Sequence, residues 1–303
     1  RRIQWMNNFH GKNKKRSYFE GWYLKNQNHQ QTIAFIPAYH IDDQGRASAS
    51  IQVITDQAAY NFTFPAHKFK AAQNIFYAEI DGNIFSKNGI DVDLHNEEAE
   101  IKGKLSYGDF LPLKYNIMGP FAFFSFLQCN HDVLSMDHEV FGSLTVNGEE
   151  ISFHGDRGYI EKDWGSSFPN DYLWTQCNSF WDRPSSVMIS VADIPFMGFN
   201  FTGCIASVRH RSKEYRLATY AGAKIEKYGE DEVIIHQGKY SLQASLLSSA
   251  AHALAAPQAG KMSRTIYEHP ACQMRYRFWE NKRIIFDYCS HQAGFEYCPG
   301  QSL

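Results

Sequence analysis

Apolar and polar residues alternate along most of this chain with a period of two, the signature of strands that bury one face. Such runs include Thr32–Tyr39, Ala49–Thr55, Phe76–Asp81, Ile90–Leu94, Ala99–Ser106, Phe141–Val146 and Ile151–Gly158. The series continues through Tyr172–Phe180, Val187–Ala192, Phe199–Arg209, Tyr215–Tyr220, Glu232–His236, Tyr240–Leu247, Ala271–Trp279 and Ile284–Cys289. Turn signals separate them, among them Asp42-Asp43-Gln44-Gly45, Asp81-Gly82-Asn83 and Asn147-Gly148. The last is a strong hairpin signal, because both turn positions tolerate positive φ. This spacing predicts an all-β protein of barrel or sandwich type. The one helical expectation is Ser248–Ala256, Ala-rich and ended by Pro257, for which a loop is the alternative. About fifteen strands exceed one small barrel, so two β domains are expected. Gly119–His138, apolar without clean alternation, reads as a buried connector and places the domains at residues 1–135 and 136–303.

The 303 residues carry a net charge of -2, with both signs spread throughout. That excludes the basic field a nucleic-acid partner needs. The short run Lys12–Arg16 reads as a solvated leader, with contact to anionic lipid headgroups as the alternative. No window approaches the ~18 apolar residues of a membrane-spanning helix. The chain opens Arg1-Arg2, which points to residues lost upstream. Six cysteines without a Cys-x-x-Cys pair suggest thiols in a reducing compartment, so the cytoplasm is the expected location. Aromatic residues make up 15%, a surplus that suits a large apolar ligand.

Candidate chemistry concentrates between Gly119 and Phe180. In Tyr159-Ile160-Glu161-Lys162-Asp163-Trp164, alternation puts Tyr159, Glu161 and Asp163 on one strand face and Lys162 on the other. Two carboxylates on one face can push their pKa values apart and leave one as a general acid. A salt-bridge network is the competing reading. His131, His138 and Asp137 add imidazoles and a carboxylate, and a His oriented by an Asp is a common acid–base device. In Tyr172–Phe180, Trp174, Gln176 and Asn178 share a face that suits a polar headgroup, or a core hydrogen-bond network. In Phe19–Leu24, Glu20 and Trp22 share a face, where Glu20 either ion-pairs or is held protonated. No metal is expected, because no His-x-His or His-Glu-x-x-His spacing accompanies the histidines. No cofactor or nucleotide motif is present either.

These residues also carry a family likeness. Tyr18–Lys25, Gly119-Pro120-Phe121, Gln128–His131, Leu134–His138, Tyr159–Pro169 and Trp174–Phe180 resemble the tocopherol cyclase family. Ile194-Pro195-Phe196, Phe201-Thr202-Gly203, Ala218–Lys224, Ala256-Pro257 and Gly260-Lys261-Met262 continue the match in order. The resemblance implies two lipocalin-like β domains, related to carotenoid hydratases and lipocalin-like pericyclases, and a cleft for an isoprenoid. It implies acid-driven closure of a prenylated hydroquinone to a chromanol, without a cofactor. In that reading Asp163 or Glu161 is the acid and His131 or His138 assists the phenol. Glu20, Asn130, Tyr159, Gln176 and Asn178 contact substrate, while Trp22, Trp164 and Trp174 shelter the cation. The expected partner is thus a hydrophobic isoprenoid, with peripheral membrane contact as a further expectation. Hydration of an isoprenoid alkene and a non-catalytic isoprenoid carrier are the alternatives.

Overall fold

The computed structural model describes residues 9–124, 127–196, 198–248 and 252–300, and within them the chain forms two compact β units. The first unit comprises the residues up to Tyr115, then Cys129–Phe168 and Leu254–Thr265. Its strands are β1 (Tyr18–Gln27), β2 (Thr32–Ile41), β3 (Ala47–Thr55), β4 (Ala59–Pro65), β5 (Phe69–Ala71) and β6 (Tyr77–Ile80). They continue as β7 (Asn83–Ser86), β8 (Gly89–His95), β9 (Glu100–Tyr107), β10 (Cys129–Val146) and β11 (Glu149–Gly165). All pair antiparallel in the order β4-β3-β2-β1-β11-β10-β9-β8-β7-β6-β5. The sheet curls so that its β5 edge packs across the interior onto β2 and β1, with the Phe69 ring of β5 4.9 Å from Tyr39 of β2 and 6.5 Å from Trp22 of β1. Trp22, Leu24, Phe35, Phe85 and Phe153 fill the interior, each at most 1% exposed. Every such side chain contributes about 1.5–3 kcal/mol by leaving water.

The second unit comprises Asn116–Gln128, Pro169–Ala253 and the residues from Ile266 onward. It holds β12 (Tyr172–Cys177), β13 (Ser186–Phe196), β14 (Phe199–His210), β15 (Lys213–Ala218), β16 (Lys224–Tyr228), β17 (Glu232–Gln237) and β18 (Tyr240–Ser248). A hairpin of β19 (His252–Gln258) and β20 (Lys261–Glu280), whose Leu254–Thr265 portion belongs to the first unit, precedes the last strand, β21 (Arg283–Cys298). The strand order is β15-β14-β13-β12-β21-β20-β18-β17-β16, with β19 beside β20. The Gln237 side chain ties the two ends together, accepting from Ala218 N–H and donating to the Arg216 carbonyl. Leu173, Cys177, Met274, Tyr276, Phe278 and Phe295 form its core. Among the described residues, the only helical turns are short 3-10 segments, and none could cross a membrane.

Asn147 and Gly148 both take positive φ, 51° and 86°, and join β10 to β11 as the hairpin signal predicts. Three expectations need correction. Residue 135, the expected domain boundary, lies inside β10, which ladders onto β11 and completes the first sheet. The supposed connector Gly119–His138 divides: Gly119–Phe123 is a 3-10 turn with Phe123 67% exposed, whereas Cys129–His138 belongs to β10. The Ala-rich stretch is extended rather than helical; Ser248 ends β18, His252–Gln258 is β19, and 249–251 lie outside the described residues. The Gln52 carboxamide bonds both the N–H and the C=O of Ala255, each at 2.9 Å, and holds the backbone open. Such tertiary bonds outweigh an alanine propensity worth a few tenths of a kcal/mol per residue.

Candidate active site

Strand register builds the site. Across β1, β11 and β10, Gly21 lies opposite Asp163 and Asp163 opposite His131; one step on, Tyr23 lies opposite Glu161, and next Lys25 opposite Tyr159. Alternation turns all of these away from the interior that Trp22, Leu24 and Ile160 fill. His131 Nδ1 sits 2.8 Å from Asp163 Oδ1, and its Nε2 sits 3.6 Å from Glu161 Oε2. The Tyr159 hydroxyl donates to Glu161 Oε2 at 2.5 Å, fixing that carboxylate. The group is sheltered, with side-chain exposures of 11% for His131, 7% for Glu161 and 23% for Asp163.

Electrostatics follows from that geometry. Burial alone would lower the His131 pKa, but the Asp163 and Glu161 charges and the Asp163 hydrogen bond outweigh it and raise it to about 9. His131 is therefore an imidazolium at neutral pH. Burial, then the Glu161 charge, push the Tyr159 hydroxyl well above its ordinary value, so it remains a donor. The Cys129 thiol is raised likewise, by burial and then by Asp163 and Glu161.

Lys162, between these carboxylates in sequence, points into the first unit. Its ammonium lies 2.5 Å from Glu20 Oε1, with both side chains fully buried, and 5.1 and 5.0 Å from the Trp22 and Trp164 rings. Glu20 also accepts from His10 N–H, Gly11 N–H and the Tyr18 hydroxyl, while the His10 ring stacks on Trp164 at 4.6 Å. Burial would raise the Glu20 pKa, but Lys162 and His10 outweigh it and hold it low. Glu20, Trp22 and Trp164, assigned to substrate from sequence, thus surround a buried ammonium on the face opposite Asp163. Asn130 shares that face and reaches the Trp164 carbonyl at 3.4 Å.

His138 does not join His131. Its Nδ1 meets Ser135 Oγ at 3.0 Å, and its ring packs between Tyr107 and Phe110 over Gly158. The bulges at Val133/Ser135 and Ser135/His138 produce this separation. Asp137 is buried, its carbonyl accepting from Ser135 Oγ; the acid that orients His131 is Asp163, across the ladder. In the second unit, Trp174 and Gln176 lie on the β12 face opposite Leu173 and Cys177, and Gln176 donates to Asn178 at 3.1 Å. Sequence reasoning missed their neighbours: Tyr172 hydrogen-bonds Glu296, and Glu296 lies opposite Glu268, all three buried. It also missed Lys25, only 1% exposed, although the alternation that puts Phe19 and Tyr23 on this face could have placed it there too. The expectation of no metal meets a cluster in which donor atoms of His131, Glu161 and Asp163 all lie within 4.8 Å of one another. Ligand spacing along one strand could not reveal it, because the donors come from two.

The tocopherol cyclase-like family profile matches residues 82–298. A rice protein, Oryza sativa subsp. japonica, described as a probable chloroplastic tocopherol cyclase, is 23% identical over 216 residues, 64% of this chain and 44% of its own length. The chloroplastic tocopherol cyclase of Zea mays is 28% identical over 86 residues, 28% of this chain and 18% of its own. The chain thus spans less than half the length of these relatives. Among solved structures, kievitone hydratase from Nectria haematococca superposes with a TM-score of 0.55 at 12% identity, covering 94% of this chain and 90% of that one. A candidate AttH from Nitrosomonas europaea reaches 0.58 at 12% identity, covering 98% and 95%. These likenesses establish the two-unit, lipocalin-like β fold. Together with the family match over most of its length, they lead to one conclusion: the chain belongs to the tocopherol cyclase-like family.

Proposed function

We propose that this protein catalyses acid-driven addition of an O–H group across an isoprenoid alkene, with closure of a prenylated hydroquinone to a chromanol as its reaction. The observation that carries this reading is the His131 ring held between the Asp163 and Glu161 carboxylates, whose charges favour its imidazolium form. His131 passes its proton to the less substituted alkene carbon, and a tertiary cation forms at the other. Losing that proton exposes the negative charge of Asp163 and Glu161, which stabilises the cation as it appears. An aromatic ring turned towards the cation would add about 0.5–2 kcal/mol. The phenol oxygen closes the ring, and its proton returns to His131, so none is consumed. A positioned acid of this kind contributes roughly 10²–10⁴-fold. Substrate and product are isomers at the same oxidation level, so the reaction calls for no redox cofactor.

Hydration is the second reading, because water in place of the phenol uses the same cluster and a solved structural neighbour is named a hydratase. A carrier that holds its ligand inside the first unit is disfavoured by the aromatic side chains filling that interior. The test is incubation with a panel of prenylated hydroquinols followed by mass spectrometry. A chromanol isomeric with its substrate supports cyclisation, and a product heavier by one water supports hydration. Unchanged substrate across the panel, retained by the protein, would count for a carrier.

A further inference from the structure

We infer that His131 and Glu161, with Asp163 behind the imidazole, form a binding site for a divalent transition-metal ion such as Zn²⁺, which takes the place of the transferable proton. The site stands on geometry alone; the inhibition it implies rests on the reaction proposed above.

The two nitrogens of an imidazole point apart, so one ion can use only one of them. Nδ1 is held by Asp163 at 2.8 Å. Nε2 is buried and has no hydrogen-bond partner among the described residues, and His131 as a whole is 9% exposed. It faces Glu161 Oε2 across 3.6 Å. Two ligands of a tetrahedral ion with bonds of about 2.1 Å stand ~3.4 Å apart, so an ion fits between these atoms with little movement. Asp163 then holds the carboxylate position behind a metal-bound histidine, fixing the ring and increasing its basicity. Tyr159 steadies the Glu161 carboxylate from its own side. Imidazole nitrogen selects Zn²⁺ over the oxygen-seeking Mg²⁺ and Ca²⁺. Coordination uses the Nε2 lone pair, so a bound ion leaves no hydrogen on that nitrogen. Without that hydrogen the cluster has nothing to deliver to an alkene.

The experiment is calorimetric titration of EDTA-treated protein with ZnCl₂ in the absence of substrate, with zinc-edge X-ray absorption on the loaded sample. Saturable uptake of one equivalent with imidazole in the metal shell is expected. His131→Gln and the near-isosteric Glu161→Gln should abolish it, and Asp163→Asn should weaken it about 10–100-fold. Thermal melts of the metal-free variants establish that they are folded. Absence of saturable binding, or equal binding by folded His131→Gln, overturns the inference; the latter would assign the ion to a surface group such as the exposed Cys289. Because binding is read without substrate, its failure leaves the proposed reaction standing, and a failure of turnover leaves the metal site standing.

Discussion

Replacing Asp163 by Asn keeps the shape of the side chain and an acceptor for His131 Nδ1 but removes the nearest negative charge. Asp163 Oδ1 lies 2.8 Å from Nδ1 and Glu161 Oε2 3.6 Å from Nε2, and together they raise the pKa of His131 from 6.5 to about 9 against burial. That rise corresponds to ~3 kcal/mol of preference for the imidazolium in the folded state. A raised histidine contributes stability that is fully present below its unfolded value of 6.5 and is lost as pH rises through about 9. Asp163→Asn leaves burial and Glu161 in place, so the pKa should fall by about 1–3 units, toward neutrality. The variant should then lose its smaller contribution earlier on the pH axis, and the alkaline limb of turnover should move down with it. Histidine-selective NMR titration reads the pKa, and urea unfolding across the same pH range reads the linked stability. A His131 that titrates near its ordinary value in the wild type would refute the reasoning, as would one unmoved by Asp163→Asn.

Lys162→Met should cost about 3–5 kcal/mol at neutral pH, because it strands the fully buried Glu20 charge. The wild-type Glu20 pKa is lowered, so its contribution is present above the unfolded value and lost as pH falls; in Lys162→Met burial raises it. The two unfolding curves should therefore converge toward acid, and a pH-independent gap would contradict the pairing. Gly158→Ala should displace the His138 ring, since the added carbon would lie 2.1 Å from His138 Nε2, and the shift should appear in the His138 NMR resonances with little change at His131. Gln52→Ala removes both bonds to Ala255, and should speed hydrogen exchange and proteolysis across Leu254–Met262; unchanged protection would contradict the part assigned to Gln52.

Much of this was legible in sequence, wherever a local rule decides. The two-residue period separated Asp163 and Glu161 from Lys162 correctly, and Asn147-Gly148 marked its turn because only certain residues accept positive φ cheaply. What escaped depends on contacts between strands. His131 finds Asp163 only through the register of β10 with β11, and the bulges that send His138 elsewhere leave no local signal. The same alternation that placed Asp163 puts Trp164 on the opposite face, with its ring 5.0 Å from the Lys162 ammonium. The domain boundary failed because the chain completes its first sheet with β10 and β11 and returns at Leu254–Thr265.

The most direct test of the central claim is turnover of a prenylated hydroquinol in D₂O by the wild type and by His131→Gln. The account predicts a wild-type product with one deuterium bound to the carbon beside the new C–O centre. It also predicts that folded His131→Gln forms that product about 10²–10⁴-fold more slowly. A product without carbon-bound deuterium, or undiminished formation by the variant, would contradict it.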